Sequence, residues 1–240
     1  MKRQALVAGL LALLGALPAA FAAGSAWWSA FSDPALDRLM QLAAPADGAA
    51  EQALVETYIV ARVDQTRSLL AARLLQAARN EEALLMNADP GEQRDAALGA
   101  VARRLQQIEG TARQIADERD AVSADLARRC HVDAAQVAAL FGQAAGLLPK
   151  VDAPLPADAA DQRRQRLADQ LADVQRRSQL LEARRLEMQA HETRQRAGEG
   201  DPLQALETYQ QLVLDSDRLA LATGRLALSW AQWLPAPGGR

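Results

Sequence analysis

Apolar residues return along this chain at alternating intervals of three and four. The longest regular run is Leu98, Val101, Leu105, Ile108, Ala112, Ile115, Arg119, Val122 and Leu126. It is a heptad seam of about four repeats, the period that keeps one stripe of a helix against a partner helix. At about 1.5 Å per residue the seam is roughly 40 Å long. Three other segments share the pattern. Over 51–86 the face is Val55, Ile59, Val63, Leu70, Leu74 and Leu84; over 158–197 it is Leu167, Leu171, Val174, Leu181 and Met188; over 203–233 it is Tyr209, Leu212, Leu219, Leu226, Trp230 and Trp233. Four long helices are therefore predicted. No stretch sustains period-two alternation, so the fold class is all-α, without a sheet.

Turn residues divide these helices into pairs. Asn87-Ala88-Asp89-Pro90-Gly91 separates the first two, and Gly198-Glu199-Gly200-Asp201-Pro202 the last two. An Asp followed by a Pro is a helix start, so each turn is expected to close one helix and open the next. Between the pairs, Gly142 to Pro156 holds Gly146, Pro149, Pro154 and Pro156 and lacks helical period. The chain thus reads as two long antiparallel coiled-coil hairpins joined by an extended crossover, a repeat of coarse architecture. A short helix precedes them, with Asp33 as N-cap, Pro34 in the first position, and Leu36, Leu39, Met40 and Leu42 on one face. Just before it, Trp27, Trp28 and Phe31 form an aromatic cluster that either packs this helix on the bundle or anchors the base to another surface. The expected organisation is a leader over 1–22, the aromatic segment and short helix over 23–50, the first hairpin over 51–142, the crossover over 143–157, the second hairpin over 158–234 and a tail over 235–240.

Composition narrows the class. Half of the 240 residues are hydrophobic but only 4% are aromatic, and 54 are alanine. Such content favours closely packed helices. Met1-Lys2-Arg3, the apolar run from Ala5 to Ala16, Pro18 and Ala20-Phe21-Ala22 make a cationic start, a hydrophobic region and a small-x-small cleavage site, the layout of a secretory signal peptide. Export to the periplasm is expected. Lys occurs only at positions 2 and 150, and the net charge is −3, so no basic excess points to nucleic acid.

Trp27-Trp28-Ser-Ala-Phe31-Ser-Asp33-Pro34-Ala-Leu36-Asp-Arg-Leu39 resembles the opening of mature TolC-family outer membrane factors. The likeness continues in layout: Tyr58 to Asn80 resembles the family's long helix, Leu126 to Gly142 a helix ending in Leu-Phe-Gly, Pro154 to Asp158 the segment opening the second repeat, and Gly200 to Leu234 the closing helix. The family's barrel strands have no counterpart, since no run of about 9–11 alternating residues occurs. The resemblance implies a role in envelope efflux or export without a complete outer-membrane pore. It implies association with the outer membrane, a trimer, and a periplasmic adaptor (membrane fusion) protein or pump component as partner. Docking would fall to the hairpin tips, Asp89, Pro90, Gly91 and Glu92 in one and Gly198, Gly200 and Asp201 in the other. A free-standing periplasmic coiled-coil scaffold or chaperone is the alternative.

Catalytic constellations are thin, and no enzyme, cofactor or metal site is expected. Cys130 is the only cysteine, and with His131 it reads as a helix-end packing pair. Glu187 and His191 are spaced i,i+4 and read as a solvated pair. Arginines 163, 164, 166, 176, 177, 184 and 185 alternate with carboxylates, as ladders on exposed helix faces do. At Arg119 two outcomes are open: snorkelling to the seam's edge, or pairing with an acidic residue on the facing helix.

Overall fold

The structure is a computed structural model that describes residues 27–143 and 161–233. The leader, nearly all of the expected crossover and the tail lie outside the described residues. The fold is all-α, with no strand among the described residues. A 3-10 helix, Trp27–Phe31, is followed by α1 (Pro34–Ala43), α2 (Gly48–Met86), α3 (Glu92–Arg129), α4 (Ala134–Gln143), α5 (Asp161–Arg196) and α6 (Pro202–Ala231). The four long helices are α2, α3, α5 and α6.

The hairpins pack through their inner helices. α2 lies against both α3 and α6, and α6 lies against both α2 and α5. Paired residues set the direction of each contact. Arg79 meets Glu109 and Ser68 meets Arg119, so α2 and α3 are antiparallel. Arg67 meets Asp217 and Glu81 meets Gln210, so α2 and α6 are antiparallel. Gln170 meets Ser229 and His191 meets Thr208, so α5 and α6 are antiparallel too. Both hairpin turns consequently lie at one end of the molecule.

α6 owes its central place to small side chains. Ala205, Ala220, Ala222, Gly224, Ala227 and Ala231 are all buried. At Gly224 a Cβ would run into Cγ2 of Val63, so the absence of a side chain there sets how closely α2 and α6 approach. On α3 the predicted seam faces inward at Val101, Ile108, Ile115 and Leu126. Elsewhere the seam drifts: Leu84 and Leu171 are exposed, while Leu85 turns inward.

Opposite the tips, the ends of the long helices converge on one apolar base. Phe31, Leu36, Leu39, Val55, Tyr58, Ile59, Leu126, Val137 and Trp230 are at most 1% exposed there. Asp33 connects two of the elements: Oδ1 accepts from the Ala35 N–H at 3.0 Å, capping α1, and Oδ2 accepts from the Tyr58 hydroxyl at 2.6 Å.

α4 is an element that the sequence pattern merges into the preceding helix. α3 ends at Cys130 because His131 adopts φ 53°, and the Val132 and His131 N–H groups close on the carbonyls of Ala127 and Arg128. That is a Schellman ending with a non-glycine residue in the left-handed position. Asp133 then accepts from the Gln136 N–H at 2.8 Å and opens α4. Phe141 stacks on Tyr58 at 5.7 Å and 17°, and its carbonyl accepts from Gln65 at 3.1 Å.

Candidate functional site

The expected docking residues lie at one end of the bundle. In the first turn Asn87 caps α2, with its backbone N–H reaching the Ala83 and Leu84 carbonyls and its side-chain amide donating to the Ala83 carbonyl at 2.9 Å. α3 begins at Glu92, two residues later than the Asp-Pro pattern predicts. Asp89 does not cap it; the N-cap is Gly91, in extended conformation and without a side-chain hydrogen bond. Asp89, Pro90, Gly91 and Glu92 are all exposed.

The second turn is more constrained. Gly198, at φ 77°, donates to the Gln195 carbonyl and Glu199 donates to that of Arg194, both at 3.0 Å, a second Schellman ending. A Cβ on Gly200 would lie 2.8 Å from the Gln195 backbone nitrogen. Asp201 accepts from the Leu203 N–H at 2.9 Å and Pro202 opens α6, as the sequence predicts. Gly198 and Gly200 are thus demanded by the turn itself, whereas Gly91 has open space around it. Beside the turns, Leu84, Met86 and Leu203 are exposed, Met86 by 66%.

Part-buried polar clasps between the helices hold the tip in register. Arg104 on α3 donates to Glu81 on α2 at 2.9 and 3.2 Å and to Gln210 on α6 at 2.8 Å, and Gln210 donates to Glu81 at 2.6 Å. Nearer the base, Arg67 reaches Asp217 at 3.2 Å, Asp64 at 3.8 Å and Glu118 at 4.0 Å. Burial pushes the Asp64 carboxyl up, against the lowering effect of Arg67. Between α5 and α6, Asp215 is buried and accepts from Arg184 at 3.4 Å and Arg218 at 3.0 Å. Sliding these helices by one turn would leave buried Gln210 and Asp215 without their partners on the neighbouring helices, so the contacts select one alignment.

No family model, curated protein or solved structure matches this chain.

The aromatic base reads differently in three dimensions. Trp27 and Phe31 are buried, Phe31 edge-on to Trp230 at 5.3 Å, and Trp27 Nε1 donates to Glu51 at 3.3 Å. These two rings pack the first segment onto the bundle and present no anchor to another surface; Trp28 is half-buried, in edge contact with Trp27.

Other candidates also resolve. Cys130 is buried at the end of α3 with its thiol pushed up by desolvation, while His131 is exposed, so only the cysteine of the expected packing pair is packed. Arg119 snorkels, bonding Asp120 on its own helix at 2.7 and 2.9 Å and Ser68 at 3.4 Å. The solvated Glu187–His191 pair does not form. His191 is 4% exposed and bonds Thr208 at 3.2 Å, because α5 turns that position toward α6, and Glu187 pairs with Arg184. Arg184 keeps its place in the expected ladder through Glu187, at 2.8 Å, and also reaches buried Asp215 on α6 at 3.4 Å. Among the described residues no group of His, Cys, Asp and Glu could hold a metal ion, and no helix is long and apolar enough to cross a membrane.

The sequence reading missed Asp33–Tyr58 and the three-helix clasp at Glu81, Arg104 and Gln210. Gln210 sits among residues that periodicity ranks as polar surface. The available signal was the run of small residues along α6, which marks a helix packed on more than one side.

Proposed function

We propose that this chain is an exported, non-catalytic helical protein of the TolC-like type. It acts in envelope efflux or export by presenting the two hairpin turns to a periplasmic adaptor or pump component. The observation that carries the reading is the placement of both turns at one end, beside exposed Leu84, Met86 and Leu203, with the aromatic base at the other. A docking tip needs apolar side chains that the fold itself does not use, and Met86 and Leu203 meet that requirement. The likeness of residues 27–39 to the family's opening segment supports the same assignment.

Photo-crosslinkers at Asp89 and Glu199, on opposite turns, test it in the native host. The expected product is one envelope adaptor or pump component captured from both positions and lost on Met86→Ser with Leu203→Ser. Absence of such a product, or unchanged function after both turns are shortened, refutes tip docking and favours a face-binding scaffold.

A further inference from the structure

A trough runs along the bundle beside α6, and the tip reading uses only its end, at Leu84. Among the described residues α5 packs substantially only on α6, which leaves a gap between α5 and α2. Two hollows open in that gap. One, of about 230 Å³, has Leu69, Leu70 and Arg73 on the α2 wall, Leu181 and Arg185 on the α5 wall, and Leu219 on the floor. The other, of about 480 Å³, has Asn80 and Leu84 on α2, Met188 on α5, and Leu206 and Tyr209 on α6. Both have the same three helices as walls and floor. From Leu69 to Asn87 they extend about 27 Å, or five helical turns.

The α2 wall has the three-four spacing of a helix face, and no helix lies on it among the described residues. Thr66, Leu69, Arg73, Asn80, Ala83 and Asn87 fall on three-four intervals, a mixed stripe whose apolar members are Ala83 and Leu69, the latter 45% exposed. A three-four stripe flanking an apolar floor is the surface that accepts one further helix and completes a bundle. Charge narrows the occupant. Two arginines and no carboxylate line the hollows. Arg73 makes no hydrogen bond or ion pair among the described residues, and Arg185 meets only Glu182 of its own helix, at 3.4 Å on the exposed side. The chain's outer helix α3 balances seven acidic against seven basic residues, so α3 of a second copy is not the acidic helix that this trough calls for.

We propose that the α2–α6–α5 trough is a docking site for an amphipathic α-helix with an apolar three-four stripe flanked by carboxylates, its acidic positions meeting Arg73 and Arg185. The trough reaches the tip at Leu84, but its charged half at Arg73 and Arg185 lies among residues that the tip reading does not use, so the two proposals stand or fall separately.

The probe is a fluorescent designed peptide of about three heptads, with Leu and Ala on one stripe and Glu beside it, titrated against the full chain by anisotropy, and its Lys-for-Glu counterpart. The Glu peptide is expected to bind, to weaken as salt rises, and to lose about tenfold in affinity on Arg73→Glu with Arg185→Glu. The Lys peptide is expected to gain on the same double variant. Circular dichroism melting of the exposed-site variant checks that the fold is kept. Met86→Ser with Leu203→Ser should leave peptide binding unchanged, which separates this site from tip docking. Equal binding of both peptides, binding of neither, or a self-associated chain that becomes monomeric on Leu69→Lys overturns the proposal.

Discussion

Replacing Tyr58 by Phe removes one oxygen from the base of the bundle and little else. The ring is fully buried, stacked on Phe141, and its hydroxyl donates to Asp33 Oδ2 at 2.6 Å. Phe preserves the stack and creates no large cavity, so the loss is that of a buried hydrogen bond to a carboxylate, about 1.5–3 kcal/mol. For a chain of this size each kcal/mol lowers Tm by roughly 2–4 °C. Urea denaturation followed by circular dichroism at neutral pH measures the loss directly. Alkaline pH adds an independent readout. Burial first, and then the Asp33 hydrogen bond, hold the phenol well above its ordinary value. The unfolded phenol ionises near pH 10 while the folded one keeps its proton. Its contribution is therefore complete below pH 10 and declines above it, by about 1.4 kcal/mol at pH 11. Buried Cys130 declines in the same direction from about pH 8.5, so the comparison belongs in a Cys130→Ala background. All but two of the chain's cations are Arg, which keeps this pH range free of most other titrations. Tyr58→Phe should lose stability at pH 7 and flatten the alkaline decline. A variant that loses less than about 0.5 kcal/mol and keeps the wild-type slope would refute the Asp33–Tyr58 link.

Gly224→Ala drives a methyl group into Val63 and should destabilise by about 1–3 kcal/mol; pairing it with Val63→Ala should recover part of the loss, and a double-mutant cycle without coupling would show that α2 and α6 are not in contact there. Gly198→Ala should destabilise by about 1 kcal/mol because its φ is left-handed, while Gly91→Ala should be near neutral and His131→Gly should stabilise by a similar amount; thermal melts rank the three. Asp64 has its folded carboxyl raised, so its contribution is greatest below the ordinary carboxylate range and is lost as pH rises through the folded value; ionised Asp64 is thus unfavourable at neutral pH. Asp64→Asn should leave stability equal or higher at pH 7, and a loss above about 1 kcal/mol would mean that its ion pair with Arg67 outweighs burial.

Much of the fold was legible because helices announce themselves locally. The α3 seam, the Asp33-Pro34 and Asp201-Pro202 starts, and the glycines of the second turn follow from spacing and backbone preference. The break at His131 was less legible, since a histidine in a left-handed position carries little local signal and only Asp133 marks the new start. The candidate tip was readable as two turns, whereas their neighbourhood depended on how the hairpins align. His191 shows the same limit: i,i+4 spacing places it beside Glu187, but the roll of α5 buries it against Thr208.

The sequence alone determined the helices, their pairing into hairpins and the scarcity of bulky side chains, because periodicity, caps and turn residues act over a few neighbouring positions. The tertiary structure decided which helices lie at the centre, which polar residues become buried clasps, and which face stays open. Those outcomes depend on contacts between segments far apart in the chain. Gly224 reads as a weak point in a helix until Val63 is seen against it, and Arg73 reads as an ordinary exposed charge until α5 and α6 form the other sides of its trough.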